Sequence, residues 1–124
     1  MPEAFVDFDA PDLAVQIEAL KPDEIDRLPF GVIRLDAEGT VKLYSATEAR
    51  LSGYRGSPVG LDFFSITRCF GKGDFQARIM RAQENPPVDL ELGLPSDYSD
   101  PKRELRIRVQ SARAGGVWLF VERD

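Results

Sequence analysis

The last third of the chain alternates apolar and polar residues with the two-residue period of β-strands. The apolar positions of the first two runs are Val88, Leu90, Leu92, Leu94, Leu105, Ile107 and Val109. A third run, VWLFVER, is more continuously apolar. The polar segments SDYSDPKR and ARAGG separate the runs and are typical of hairpin turns. The pattern predicts three consecutive antiparallel strands.

A second β-rich region lies closer to the N-terminus. FGVIRLD (30–36) and TVKLYS (40–45) are joined by Ala37-Glu38-Gly39. Two β-rich runs separated by three residues that include glycine predict a β-hairpin.

The first 28 residues show helical spacing. Apolar residues fall at i, i+4 and i+7 between Asp9 and Leu20, namely Leu13, Ile17 and Leu20. The segment PDEIDRL (22–28) predicts a second helical turn. We expect residues 1–28 to form a helical cap held by only a few apolar side chains.

The middle of the chain predicts helices and loops. Residues 46–53 predict a short helix that ends at a glycine, and 54–72 predict loops with one or two helical turns. Asp74 to Glu84 predicts a longer helix with Phe75 and Ile79 on one face.

This order of elements indicates an α+β protein with the PAS fold. We expect a five-stranded antiparallel sheet with flanking short helices and one longer helix. Residues 1–28 would be an N-terminal helical cap, and residues 29–124 a PAS core with a pocket between sheet and helices. One sheet face should be polar and arginine-rich, at least along 104–111, while the other faces the helices.

Charge is unevenly distributed along the 124 residues. The net charge is −5, but residues 1–30 hold eight acids and two bases, whereas 31–124 hold 13 acids and 14 bases. The acidic segment is either a solubilising terminus or a layer lying on a near-neutral domain. Without a basic run, nucleic acid is not expected as a partner.

Composition narrows the chemistry further. The chain has no histidine and one cysteine, which excludes Ser-His-Asp and Cys-His nucleophile systems, an internal disulfide and most zinc sites. We expect no metal site and no enzyme activity. A reducing, cytoplasmic setting follows from the cysteine usage. No apolar run is long enough to span a membrane, and no signal peptide is expected at the start.

The single cysteine, Cys69, lies in ITRCFGKG among predicted loop residues. A free cysteine is most often a small buried apolar residue. Alternatively, Cys69 is a covalent attachment point. Its thiolate is a strong nucleophile, and Arg68 and Lys72 favour that ionised form electrostatically. A nucleophilic enzyme would lack its usual histidine base, whereas one acylation by an activated thioester needs none. Covalent attachment of a cofactor to Cys69 therefore fits the sequence better than repeated catalysis by this residue.

Three polar residues cluster around the turn after the second strand. Tyr44 ends that strand and Glu48 begins the next helix, so both side chains can point to one place above the sheet. Ser52 lies one helical turn after Glu48, on the same side. Taken singly, Tyr44 and Glu48 are more typical of polar surface residues beside a turn, and Ser52 of a surface serine at a helix C-terminus. Both interpretations stay open on the residues alone.

Together these residues resemble the photoactive yellow protein family. The resemblance runs from about residue 28 to 123, with small gaps near 54–68 and 116. It rests on Phe30 to Asp36, Tyr44 to Glu48, Gly60 to Phe64, Cys69, and Trp118 to Val121. No single stretch is specific to this family. The specific feature is the combination of Tyr44, Glu48, Ser52 and Cys69 at these spacings.

The resemblance implies a bacterial blue-light photoreceptor. Family members carry 4-hydroxycinnamic acid (p-coumaric acid) as a thioester on the cysteine that matches Cys69. Residues matching Tyr44 and Glu48 hydrogen-bond its phenolate, and the position of Ser52 holds a hydroxyl that hydrogen-bonds the tyrosine. Light drives trans-to-cis isomerisation, a proton moves from the position of Glu48, and the structure loosens. We expect the cap, 1–28, to be what loosens. The implied partner is an unidentified downstream signalling protein, and the implied assembly is a monomer or weak dimer.

Two other interpretations remain. The first is a PAS ligand-binding or interaction module without a chromophore, in which Cys69 is incidental. The second is a flavin-binding light sensor, whose cysteine normally lies in an Asn-Cys-Arg-Phe-Leu type of sequence. Here Arg68-Cys69-Phe70-Gly71 departs from that pattern.

The chain also departs from the resembled family at three positions. Tyr54 stands where arginine is common, Arg68 where proline is common, and Asp100 near a position often occupied by methionine. The methionine aids thermal return of the isomerised ring. We therefore expect slow recovery in darkness, and a return within milliseconds after a flash would contradict that expectation.

Overall fold

The structure is a computed structural model that describes residues 6–52, 56–66, 74–85, 87–94 and 105–123. Its helices are α1 (Leu13–Glu18), α2 (Pro22–Asp26), α3 (Ala46–Ser52), α4 (Phe63–Ile66) and α5 (Asp74–Gln83). Its strands are β1 (Gly31–Leu35), β2 (Val41–Tyr44), β3 (Asp89–Leu94), β4 (Leu105–Ser111) and β5 (Val117–Arg123). The predicted glycine end of α3, Gly53, lies outside the described residues.

The strands form one sheet in the order β2-β1-β5-β4-β3, and all four pairings are antiparallel. The first strand therefore pairs with the last, from Gly31 opposite Val121 to Leu35 opposite Val117. This arrangement confirms the predicted five-stranded antiparallel sheet.

The turn between β1 and β2 is organised by one carboxylate. Asp36 Oδ1 accepts hydrogen bonds from the backbone N–H groups of Thr40 and Glu38, both at 2.9 Å. The hydrogen bond from Thr40, followed by that from Glu38 and the charge of Lys42, lowers the pKa of Asp36. A lowered pKa means that the folded hairpin favours the ionised carboxylate.

Asp36 therefore gives the hairpin a pH dependence. Its contribution is present above the unfolded-state pKa of about 3.9 and is lost as the pH falls through the lower folded-state value. We expect Asp36→Asn to lower the free energy of unfolding at pH 7 and the difference from wild type to shrink below pH ~3. Urea denaturation at both pH values measures this, with Glu38→Gln as the charge-matched control in the same turn. A difference independent of pH would contradict it.

The inner face of the sheet packs against helices α4 and α5. Alternate residues of β1, β4 and β5 point to this face, because side chains alternate along a strand. They are Ile33, Leu35, Ile107, Val109, Val117, Leu119 and Val121, buried together with Phe63 and Ile79. The predicted apolar position Ile79 is thus confirmed, whereas the side chain of Phe75 lies outside the described residues.

The outer face is covered by the segment 6–28, which we call the cap segment. The expectation of only a few apolar anchors is wrong for these residues. Seven of their apolar side chains are buried: Val6, Phe8, Leu13, Ala14, Ile17, Ile25 and Leu28. They form a second core with Phe30, Trp118 and Phe120. The arginine-rich face of β4 therefore also faces helices, and Arg108 and Gln110 are only 7% and 6% exposed.

The first helix is shorter than the predicted Asp9 to Leu20. The N–H of Asp9 donates to Asp7 Oδ1 at 2.9 Å and the N–H of Ala10 donates to the Asp7 carbonyl at 3.0 Å. This aspartate turn competes with helix formation, so α1 begins only at Leu13. The division into a cap at 1–28 and a PAS core at 29–124 stays a prediction, because it concerns which part folds alone.

Candidate functional site

Tyr44 lies on the inner face of the sheet. It is the last residue of β2 and stands opposite Ile33 of β1. Directly opposed residues of antiparallel strands share a face, and Ile33 is fully buried on the inner face. Tyr44 is partly buried and packs against the same cluster.

Glu48 places a buried carboxyl over the neighbouring strand. It lies in the first turn of α3 and is 2% exposed. A Cβ added to Gly31 would overlap Glu48 Oε1, so the carboxyl rests directly on the glycine backbone. Gly31 precedes Ile33 by two residues and faces the same side. The two sites on β1 are about 7 Å apart, given a rise of about 3.3 Å per residue. Tyr44 and Glu48 are therefore brought together on one face.

Ser45 fixes the start of the helix that carries Glu48. The carbonyl of Ser45 accepts the N–H of Ala49 at 3.0 Å, which makes Ser45 the N-cap. Its Oγ accepts the N–H of Glu48 at 3.2 Å and that of Val32 at 3.0 Å. One hydroxyl thus joins the first turn of α3 to β1. The N–H of Ser45 donates a hydrogen bond to the Val32 carbonyl at 2.9 Å. The Glu48 side chain extends over the strand.

The same helical turn is also bonded to the end of the cap segment. Thr47 is 1% exposed, and its Oγ1 lies 2.7 Å from the Leu28 carbonyl and 3.0 Å from that of Asp26. The N–H of Ala46 donates to Asp26 Oδ1 at 2.8 Å. The residues flanking Glu48 therefore hold α2 and the chain after it.

Two predicted site residues are not placed beside this pair. Cys69 lies outside the described residues, and so do Tyr54, Arg68 and Asp100. Ser52 ends α3, one turn after Glu48, but its side chain lies outside the described residues. The roles of Cys69, Tyr44, Glu48 and Ser52 as chromophore-binding residues stay predictions.

Sequence reasoning overlooked three residues that build this site: Gly31, Ser45 and Thr47. The run Ser45-Ala46-Thr47-Glu48 matches the capping-box pattern, which could have marked the start of α3. No local signal pointed to Gly31, whose importance arises from a contact across the fold.

Other features of the described residues lie apart from this pair. A groove of about 420 Å³ runs between α5 and β3, lined mainly by Arg78, Arg81, Asn85 and Leu90. Within the described ranges, no group of three His, Cys, Asp or Glu side chains could hold a metal ion. No helix in those ranges is long and apolar enough to cross a membrane.

Comparison with known proteins decides the family. The chain is 31% identical over 103 residues to the photoactive yellow protein of Rhodothalassium salexigens, covering 81% of this chain and 82% of that protein. The chain belongs to the photoactive yellow protein family. No family model matches it.

Solved structures agree with this membership and with the PAS fold. The photoactive yellow protein domain of the sensor histidine kinase Ppr from Rhodospirillum centenum matches with a TM-score of 0.70 and 29% identity, covering 86% of this chain and 95% of that domain. The PAS domain of an HTR-like protein from Haloarcula marismortui matches with a TM-score of 0.56 at 15% identity, covering 83% and 91%, and supports the fold alone. The chain is therefore a PAS-domain member of a photoreceptor family.

Proposed function

We propose that the chain is a blue-light receptor carrying 4-hydroxycinnamic acid as a thioester on Cys69. Tyr44 and Glu48 face the phenolate oxygen, and Ser52 supports Tyr44. The observation that carries the proposal is the buried Glu48 carboxyl on the same sheet face as Tyr44. When bound, the cofactor supplies absorption of blue light and isomerisation about its double bond.

The donor set fits this cofactor. A buried phenolate is unfavourable unless hydrogen bonds satisfy it. The Tyr44 O–H and a protonated Glu48 carboxyl both donate, and the missing side chain at Gly31 gives the carboxyl its space. Attachment needs only the Cys69 thiolate, which attacks the carbonyl of an activated acyl group and displaces its leaving group. The proposal includes no catalytic turnover.

Glu48 acts as the proton donor in this account. Burial favours the neutral carboxyl, so Glu48 holds its proton in darkness. After illumination the proton would pass from Glu48 Oε to the phenolate oxygen that this carboxyl faces, and a buried carboxylate would remain on Glu48. Keeping a carboxylate away from water costs several kcal/mol (roughly), which is a large share of the ~5–15 kcal/mol that stabilises a small domain. Local unfolding relieves this cost.

Hydrogen bonds connect the helical turn that carries Glu48 to the end of the cap segment. Ala46 and Thr47, immediately before Glu48, hold Asp26 and Leu28 by hydrogen bonds of 2.7 to 3.0 Å. A displacement of the first turn of α3 breaks these bonds and releases the end of the cap. We therefore propose that light raises the mobility of residues 1–28. Equal hydrogen-exchange rates there in darkness and light would refute this.

Thr47 is the residue to change in order to test this route. Thr47→Val keeps the shape of the side chain but removes the hydroxyl that hydrogen-bonds to the Leu28 and Asp26 carbonyls. Loss of a buried hydrogen bond worth ~1–2 kcal/mol should raise dark exchange from Ile25 to Leu28 about tenfold and shrink the light-to-dark ratio. Hydrogen exchange followed by mass spectrometry measures both. Thr47→Ser keeps the hydroxyl and should behave as wild type; equal dark rates in all three proteins would exclude the route.

Attachment is tested by intact mass. After incubation with an activated thioester or anhydride of p-coumaric acid, the mass should rise by one coumaroyl group and the protein should turn yellow and bleach under blue light. Cys69→Ala should stay unlabelled and colourless while keeping its circular dichroism spectrum. An unlabelled wild-type protein would favour the PAS interaction module without a chromophore.

Location and partner belong to the same proposal. We place the receptor in the cytoplasm, with a downstream signalling protein as its partner. The neighbour from Rhodospirillum centenum is a domain of a sensor histidine kinase, which supports a signalling role.

A further inference from the structure

The sheet has two edge strands, β2 and β3, and they differ in what covers them. The outer edge of β2 is closed by residues 60–62. The Gly60 N–H donates to the Val41 carbonyl at 2.8 Å, and the Val41 N–H donates to the Leu61 carbonyl at 2.9 Å. Among the described residues, nothing pairs in this way with the outer edge of β3. An open edge of this kind is a template for a further strand.

The pairing of β3 with β4 shows which backbone groups lie at the open edge. The N–H of Ser111 donates to the Val88 carbonyl at 3.1 Å, so these residues form a hydrogen-bonded pair at the start of the ladder. Hydrogen-bonded and non-hydrogen-bonded pairs alternate along an antiparallel ladder. Asp89, Glu91 and Gly93 are therefore in non-hydrogen-bonded pairs, and their N–H and C=O groups point away from β4.

A groove lies beside this edge, on the inner face of the sheet. One wall is a single face of α5 and the turn after it, at positions i, i+3, i+4 and i+7, namely Arg78, Arg81, Ala82 and Asn85. The opposite side includes Leu90 of β3, which is partly buried against the inner core. A strand added to β3 would therefore place every second side chain over this groove, because side chains alternate along a strand.

The groove carries two arginines that no described residue neutralises. Arg78 and Arg81 are exposed, and neither side chain makes an ion pair or a hydrogen bond to another described residue. Asp89 is the one acid in the described lining. Its Oδ1 lies 3.3 Å from Gln110 Nε2 and 3.7 Å from Arg108 Nη2 on the outer face, so its charge is balanced there. The groove is therefore complementary to acidic side chains.

The spacing of the two arginines matches the repeat of a strand. Cβ atoms three residues apart on a helix lie about 5–6 Å from each other. Side chains on one face of a strand repeat about every 6.6 Å. Carboxylates at alternate positions of an added strand can therefore reach Arg78 and Arg81 together.

The positions between these carboxylates would lie on the outer face of the sheet, beside Asp89 and Glu91. Glu91 Oε2 already accepts a hydrogen bond from Arg106 Nη2 at 3.0 Å. Like charges directly opposite each other on neighbouring strands are destabilising. Non-acidic residues are therefore favoured at the intervening positions.

We propose that the open edge of β3 and the groove beside α5 form a docking site for an extended segment of a partner protein, which adds to the sheet as a sixth strand. The segment has acidic residues at alternate positions, facing Arg78 and Arg81, and non-acidic residues between them. Backbone hydrogen bonds supply affinity, and the groove selects the sequence. A second copy of the chain fits less well, because antiparallel pairing through the middle of β3 sets Glu91 opposite an acid of the other copy. The proposal does not depend on the light reaction.

The probe is a fluorophore-labelled peptide with blocked ends and the sequence Thr-Thr-Glu-Thr-Glu-Thr-Thr, and its binding to the full chain in darkness is followed by anisotropy. Its isomer Thr-Thr-Glu-Glu-Thr-Thr-Thr has the same composition and charge but places its two carboxylates on opposite faces of a strand. We expect the isomer to bind at least tenfold more weakly. Equal binding of the two peptides, or no saturable binding of the first, would overturn the proposal.

Paired substitutions test the arginines. Arg78→Gln with Arg81→Gln should weaken binding of the alternating peptide at least tenfold. The matched control is Arg50→Gln with Arg113→Gln, which removes the same charge from exposed positions outside the groove and should change binding less than twofold. Equal weakening by the two pairs would show that net charge alone attracts the peptide, and would overturn the arginine site.

Hydrogen exchange resolved by NMR tests strand addition itself. Saturating peptide should slow exchange of the outward N–H groups of Asp89, Glu91 and Gly93 at least tenfold. The N–H groups of Leu90 and Leu92, which already pair with β4, should change little. Unchanged exchange at the three outward groups would overturn strand addition.

Sedimentation of the same samples separates a partner segment from a second copy of the chain. A chain that is monomeric and binds the alternating peptide supports the proposal. A dimer of the free chain that dissociates as the peptide binds would overturn it in favour of pairing between two copies at this edge.

Discussion

In Glu48→Gln protein, blue light should no longer release the cap segment. Glutamine has almost the shape of glutamic acid and still donates a hydrogen bond, but it cannot leave a negative charge behind. In wild type, keeping the Glu48 carboxylate away from water, at a cost of ~3 kcal/mol, should raise hydrogen exchange in residues 6–28 about a hundredfold under illumination. The variant should show less than about a threefold change.

The control for this experiment is Glu38→Gln. Glu38 is exposed in the turn between β1 and β2, and its substitution makes the same chemical change. It should respond to light as wild type does. A full light response in Glu48→Gln would show that cap release does not depend on charge at this position.

Gly31→Ala should be strongly destabilising, and only because of Glu48. Gly31 has no positive φ, so its backbone suits any residue. An added methyl group would meet three atoms of Glu48, among them the carboxyl Oε1 and Cδ. Elsewhere in a strand, replacing glycine by alanine stabilises by about 0.5–1 kcal/mol. Here overpacking should reduce the free energy of unfolding by about 3 kcal/mol.

A double-mutant cycle isolates this contact. In the Glu48→Ala background the carboxyl is absent, so Gly31→Ala should cost less than about 1 kcal/mol, giving a coupling energy of about 2 kcal/mol. Urea denaturation of the four proteins measures it. In chromophore-loaded Gly31→Ala protein, the displaced carboxyl should also shift the absorption maximum. Additive effects of the two substitutions would show that Glu48 does not rest on Gly31.

The sheet could be predicted from the chain because its signals are local. The alternation in β3 and β4 and the glycine-containing turn before β2 fix strand positions without knowledge of the rest of the fold. Antiparallel hairpins then join neighbours in sequence. The pairing of β1 with β5 had no such signal, since it joins the two ends of the PAS core.

The burial of the cap segment was not predicted from the sequence, because the contacts that bury it are not local. Its contacts reach residues about a hundred positions away, such as Arg108, whose guanidinium donates to the Phe8 carbonyl. A short amphipathic pattern shows that a helix has an apolar side but not how deeply that side is buried. The acidic charge of the segment was visible in the sequence; its matching arginine and tryptophan donors became visible only once β4 and β5 were placed side by side.

The candidate site was predictable in residue type but not in geometry. The spacing of Tyr44 and Glu48 indicated a shared direction, and the fold brings both onto the inner face. The carboxyl of Glu48 is buried because Gly31 leaves room beneath it, and this is a tertiary contact between two residues with no sequence relation. The attachment role of Cys69 rests on chemistry and family membership.

The infrared difference spectrum between illuminated and dark protein tests the role of Glu48 most directly. We predict that illumination removes the C=O stretch of a protonated carboxyl and adds carboxylate stretches, and that Glu48→Gln lacks this pair of signals. A dark protein that shows no protonated carboxyl signal, or a variant that retains the full change, would contradict the account.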